Sequence, residues 1–154
     1  MRQLLLRLFV AFACCDPTYA QSCGSVVYNS DDGLGATNYM GVFQDSKGML
    51  WIGSYGSGVS RFNGKRWESW TTSSGILSNL VSAIFEDPEG GMWFSHNDQG
   101  ASRWKDGVWE KFEFTTGSVA VGQLLYDLEQ KRVLIIESGW YNRASTRIFA
   151  YDYK

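Results

Sequence analysis

Proline, cysteine and histidine are nearly missing from this sequence: its 154 residues include 2 prolines, 3 cysteines and 1 histidine. Cys14, Cys15 and Cys23 crowd the N terminus, so no disulfide framework spans the chain. His96 has no second histidine or cysteine beside it, and a metal centre needs several converging ligands. Neither a metal nor a cofactor is expected. An excess of charge is missing too. The formal net charge is −2, with no basic stripe and no acidic tail, which argues against nucleic acid as a partner. Apolar spacing at 3.6 residues is not sustained anywhere, which argues against helical repeats.

Catalytic motifs are also lacking. There is no Gly-x-Ser-x-Gly elbow and no phosphate-binding glycine loop. The glycine-rich run Gly53-Ser54-Tyr55-Gly56-Ser57-Gly58 lies between two expected strands and not before a helix, so it is a turn. Glycoside hydrolysis needs paired carboxylates, one with a raised pKa, facing a cleft. Glu68 and Glu110 recur at matching places, but strand alternation points both to solvent. No catalytic residue is assigned and no enzymatic activity is expected of this chain.

The long apolar stretch is confined to the first 20 residues. Met1-Arg2 opens with a positive charge, Leu4 to Cys15 is apolar apart from Arg7, and Thr18-Tyr19-Ala20 forms a small-residue cleavage site. Asp16-Pro17 stops a helix where a cleavage region begins. Residues 1–20 therefore read as a signal peptide, too short for a membrane span, and the product is expected to be periplasmic or secreted. Lipid anchoring at one of the cysteines is the lesser alternative, because no Leu-Ala-Gly type sequence precedes them.

Glycine and aromatic residues are abundant, at 17 glycines and 16% aromatics. They recur in register. Asp45 and Asp87, Gly48 and Gly90, Trp51 and Trp93, Gly58 and Gly100, Arg61 and Arg103, and Trp67 and Trp109 all stand 42 positions apart. A period near 40 to 45 with strand and turn punctuation indicates four-stranded propeller blades. Tyr39 to Gln44 reads as a strand, and Asp45-Ser46-Lys47-Gly48 as a type I turn. Strands follow at Met49 to Gly53 and Val59 to Phe62. Asn63-Gly64 is a two-residue hairpin signal, and Lys65 to Thr71 closes the unit. The second unit repeats the plan, with Asp87-Pro88-Glu89-Gly90 as the turn and Asp106-Gly107 as the hairpin. The third unit, with strands expected over 123–128, 132–137 and 147–153, has lost both the turn and the tryptophan.

The expected architecture is all-β: a partial β-propeller of about three four-stranded antiparallel blades over residues 21–154. Residues 24–32 supply the outer strand of a preceding blade, 33–72 and 75–116 are full blades, and 119–154 is a degenerate one. Trp51 and Trp93 are expected to pack between blades. Trp67, Trp70, Trp109 and Phe112 alternate on outer strands and are expected to be half exposed. Arg61 and Arg103 are expected to pair with nearby carboxylates or carbonyls, and Asp45 and Asp87 to cap their turns. A ligand, if bound, would meet loops at one rim of the ring, which singles out Tyr55, His96 and Asn97.

Several of these stretches resemble the two-component regulator propeller repeat. The carrying residues are Gly33-Leu34, Asp45-x-x-Gly48-Met49-Leu50-Trp51-Ile52-Gly53-Ser54 and Gly58-Val59-Ser60-Arg61-Phe62-Asn63-Gly64. Asn79-x-Val81-x-x-Ile84-x-Glu86-Asp87 and Met92-Trp93-Phe94 carry it again. The resemblance implies extracytoplasmic sensing of a saccharide or other small nutrient, with any kinase or cyclase in a downstream domain absent from this chain. The sequence departs from that family in having no membrane span after the repeats and only about three blades. The smallest ring, of four blades, takes roughly 168 residues at this period. The expectation is a fragment of a longer product, a degraded remnant, or a subunit that closes a ring by self-association. The competing reading is a secreted interaction or assembly scaffold that works through its open blade edges.

Overall fold

The computed structural model describes residues 26–35, 38–114, 120–138 and 146–153. Eleven strands run in chain order: β1 (Tyr39–Gln44), β2 (Leu50–Ser54), β3 (Val59–Phe62), β4 (Trp67–Trp70), β5 (Val81–Glu86), β6 (Met92–His96), β7 (Gly100–Lys105), β8 (Val108–Glu113), β9 (Ala120–Asp127), β10 (Arg132–Ser138) and β11 (Thr146–Asp152). They form three separate antiparallel sheets, ordered β1-β2-β3-β4, β5-β6-β7-β8 and β11-β10-β9, called here sheets I, II and III. Each strand pairs with the next in sequence, as short connections favour. Among the described residues the third sheet holds three strands, at the places expected over 123–128, 132–137 and 147–153. Its β9 and β10 are also longer than their counterparts, at 8 and 7 residues against 6 and 5 in sheet II.

Sheets I and II superpose in register as well as in sequence. Both carry a bulge at the same place in the inner strand, between Tyr39 and Gly41 and between Val81 and Ala83. Asp106-Gly107 forms the two-residue hairpin its sequence signals, with both φ angles positive at 51° and 85°. Asn63-Gly64 does not. Only Gly64 has positive φ, and the Asn63 side chain accepts the N–H groups of Lys65 and Arg66 at 3.0 Å. That Asx bond widens the loop to four residues between Phe62 and Trp67.

Two apolar layers hold the sheets together face to face. Trp51, Val59, Ile76, Val81, Met92 and Phe94 form the layer between I and II. Trp93, Ala101, Val133 and Ile135 form the layer between II and III, flanked by Phe112, Tyr126, Tyr151 and Tyr153. Between sheets, a short link repeats with the same period. Thr71 caps a 3-10 turn at Thr72–Ser74 that ends on Gly75 in left-handed conformation, and Asn29 caps one at Ser30–Asp32 that ends on Gly33.

Residues 26–32, within the expected outer strand 24–32, pair with no strand among the described residues. Their position is nevertheless that of an outer strand. The Tyr28 ring packs at an angle against Phe62 and Trp67, 5.0 and 5.7 Å away, as Trp70, 42 residues on, packs against Trp104 and Trp109 at 6.1 and 6.3 Å. Trp67, expected half exposed, is buried beneath Tyr28 as a result. The expected signal peptide and the three cysteines lie outside the described residues.

Candidate functional site

The repeated residues assemble into one joint per blade. In sheet I the turn aspartate does two things. Asp45 Oδ1 accepts the N–H groups of Lys47 and Met49, which closes the turn, and Oδ2 accepts the indole N–H of Trp51 at 2.8 Å. The turn therefore locks the rotamer of the tryptophan that fills the layer between sheets. Asp87 repeats this with Glu89, Gly91 and Trp93, its bond to the indole again 2.8 Å long. The arginines stack into the same layers. The Arg61 guanidinium lies 5.2, 5.2 and 5.0 Å from the rings of Trp51, Trp70 and Trp104, and Arg103 lies over Trp93, Tyr151 and Tyr153.

The glutamates opposite these arginines are not free solvent-facing carboxylates, contrary to the alternation argument. Glu68 pairs with Arg61 and Glu110 with Arg103, because each faces its arginine across the strand pair. The bond to Arg61 holds the Glu68 carboxyl below the usual carboxylate range. The joints differ in one respect. Arg103 Nε also donates to Asp87 Oδ2 at 2.8 Å, with both side chains buried. Burial alone would raise the Asp87 pKa, but Arg103, the Gly91 N–H and the Trp93 indole together hold it low.

The three rim candidates come together at one residue, Leu80, and only partly face solvent. Tyr55 bridges to Leu80 and is exposed. The Asn97 N–H donates to the Leu80 carbonyl at 3.3 Å, and its residue is half-buried. His96 is not a rim residue. It ends β6 with no exposed surface. Its Nδ1 donates to the Leu80 carbonyl at 3.3 Å, and its Nε2 accepts the Ser102 hydroxyl at 2.8 Å. Ser102 Oγ in turn accepts the Leu77 N–H, so its own hydrogen is free for His96. Burial pushes the imidazole pKa down to about 4, and the ring stays neutral.

The opposite rim shows what the sequence reading overlooked. Between sheets I and II the turns are tied together, since Glu86 accepts both the N–H and the hydroxyl of Ser46 at 2.6 and 2.7 Å. Among the described residues no such tie joins II and III. Pro88 stands in the place of Ser46 and has neither donor, while Asp127 is engaged with Glu129, Gln130 and Arg132 of its own hairpin. A cleft of about 600 Å³ opens there, lined by Pro88, Glu89, Tyr126, Gln130, Asp152 and Tyr153 among others. The proline at position 88 was the available signal.

Residues 33–56 and 75–98, the stretches that build the turn, the clip and the rim, match the two component regulator propeller family. These two segments are two-component regulator propeller repeats. Each holds its Asp-x-x-Gly turn and its tryptophan, while Arg61 and Arg103 fall outside the matched spans. The solved structures it is similar to include extracellular domains of two hybrid two-component systems of B. thetaiotaomicron. The first is 24% identical with a TM-score of 0.59, covering 77% of this chain and 16% of that one. The second is 17% identical with a TM-score of 0.58, covering 76% and 16%. Virginiamycin B lyase from Staphylococcus aureus is 16% identical with a TM-score of 0.55, covering 76% of this chain and 42% of the lyase. At these identities the likeness is one of fold, and the propeller repeats here span under a fifth of the length of the sensor domains. No curated protein matches the chain by sequence. Among the described residues, no helix is long and apolar enough to cross a membrane.

Proposed function

We propose that this chain is an extracytoplasmic ligand-sensing propeller module, whole or part, of a two-component or related signal-transduction sensor, without catalytic activity of its own. The observation that carries this reading is the pair of clipped propeller repeats in a fold like that of sensor ectodomains. The apolar start of the chain supports export. A cleft of about 600 Å³ falls in the range of small-molecule sites. Its tyrosines offer flat apolar faces, and Glu89, Asp152 and Gln130 offer hydrogen-bonding groups, a combination suited to a saccharide or similar small nutrient.

The lyase among the structural neighbours is an enzyme, and one of its structures is a catalytically inactive histidine variant with quinupristin. In the present chain His96 is buried between Leu80 and Ser102, and the repeated glutamates are bound to arginines. These positions favour a structural role. A fusion of alkaline phosphatase to Lys154, active only when exported, tests location. Thermal shift of the chain with a panel of mono- and disaccharides tests sensing. An inactive fusion would remove the extracytoplasmic part, and an unmoved melting temperature throughout would remove the ligand.

A second reading has its own support. Val42, Leu125 and Ile148, on the outward faces of sheets I and III, are 70%, 54% and 61% exposed. Apolar surface of that kind marks interaction sites, as an assembly scaffold would require.

A further inference from the structure

The two ends of the stack are complementary. At one end, the face of sheet I turned away from sheet II carries the counterparts of residues that sheet II packs against sheet I. Val42, Leu50, Ile52, Phe62 and Trp67 stand 42 positions before Ile84, Met92, Phe94, Trp104 and Trp109, all five of which lie in the layer between I and II. Tyr28 and Gly33 sit over the Phe62 and Trp67 end of this face, and a groove runs along Tyr39 to Val42 and Ile52 at the other end. Next to it, Val26 and Val27 occupy the position of an outer strand, 72% and 82% exposed and paired to nothing among the described residues.

At the other end the deficit is reversed. Sheet III has an inner, a middle and a third strand, and the outer edge of β11 pairs with nothing among the described residues. Sheets I and II both fill that place, with β4 and β8. The face of sheet III turned away from sheet II carries Leu125, Leu134, Ile136 and Ile148, by the register that puts Leu124, Ile135 and Phe149 on the opposite face. One end therefore offers a strand without a sheet and an open apolar face. The other end offers a sheet without its outer strand and an apolar face to seat.

We propose that sheet III of a second copy seats on the open face of sheet I, with the Val26–Tyr28 segment of the first copy paired to the edge of β11 of the second. The contact reproduces the joint between sheets I and II, including the place already taken by Tyr28. It adds a strand to an open edge, a recognised mode of association. Because the surfaces joined are different, the arrangement is head-to-tail, and two copies close it into a ring of six sheets, within the four to eight that propellers use. Closure removes both open edges at once. The proposal is independent of the sensing role, since it concerns association and not a ligand.

Sedimentation velocity and light scattering on the full chain test it. The expected result is one discrete species at twice the mass of a single chain. Val42→Asp, Ile148→Asp and Val27→Pro, all at exposed positions, are each expected to weaken dimerisation at least about tenfold while leaving the circular dichroism spectrum unchanged. Mixing Val42→Asp with Ile148→Asp restores a dimer, because one of the two contacts then carries neither lesion. A monomer at all concentrations, an open series of oligomers, or a dimer untouched by Ile148→Asp overturns the proposal. The last outcome would mean that two sheet I faces meet each other. If Val42→Asp loses its β spectrum, Val27→Pro takes its place in the mixing experiment, and if Ile148→Asp does, Leu125→Asp at 54% exposure takes its place.

Discussion

Removing the turn aspartate should cost far more in the second blade than in the first. Asp45 and Asp87 sit 42 residues apart in nearly superposable turns, and each accepts two backbone N–H groups and one indole N–H. Losing three such bonds costs about 1 kcal/mol each, so Asp45→Ala is expected to lose about 3 kcal/mol. Asp87 also receives Arg103 Nε in a pair whose side chains are 4% and 0% exposed. Taking away one partner of a buried pair leaves the other charge poorly compensated, at about 3–5 kcal/mol. Glu110 remains within 3.0 Å of Arg103 and offsets part of that, which leaves a further loss of about 2 kcal/mol and a total near 5. Arg61 has no such tie to Asp45, because its carboxylate partner is Glu68. Urea unfolding of the two variants and the parent, followed by tryptophan fluorescence, reads the difference directly. At equal m values, Asp87→Ala should have the lower midpoint by the larger margin. Equal losses, or a greater loss at Asp45, would refute the claim that the buried ion pair distinguishes the two joints.

Other expectations follow from the same geometry. The folded pKa of His96, about 4, lies below its unfolded value of 6.5. The unfolded chain therefore binds the extra proton first, and stability is full above pH 6.5 and declines as pH falls toward 4. The loss approaches roughly 3 kcal/mol, and urea midpoints across pH 4 to 7.5 should flatten over this window in His96→Gln. Gly100→Ala places a Cβ into the Phe112 carbonyl oxygen at a φ of 149° and should cost about 3 kcal/mol. Gly48→Ala, at φ 79° with open space around it, should cost about 1 kcal/mol, and comparable losses would count against the close approach. Arg61→Lys keeps the charge but loses the flat group stacked among three tryptophans, and should cost about 1 kcal/mol in the same unfolding assay.

Much of this was legible in the sequence wherever local chemistry decides the outcome. Asp45, Gly48 and Trp51 announce a turn, a left-handed position and a buried ring, and the structure places each in that role. The strands of sheets I and II follow the alternation between those marks. What escaped was decided by contacts between distant residues. Alternation points Glu68 outward, but it cannot say that Arg61 lies opposite. His96 reads as a rim residue, but its ring is held inside by Leu80 and Ser102, partners 16 and 6 residues away. Asn63-Gly64 looks like a tight hairpin until the amide of Asn63 finds two backbone donors. The cleft beside Pro88 is lined by residues of two sheets, from Glu89 to Tyr126 and Tyr153, and a single unit read alone does not display it.

The Asp–Trp clip has an evolutionary corollary. Nearly everything needed to fasten one blade to the next is encoded inside a single 42-residue stretch: the hook, the ring it holds, the cation laid over that ring, and the surface that accepts the previous ring. A tandem duplication of that stretch in the gene would bring its own fasteners, with no new contacts to invent. Ancestors can gain or lose wedges one at a time, and the circumference of such proteins becomes something a copying error can alter.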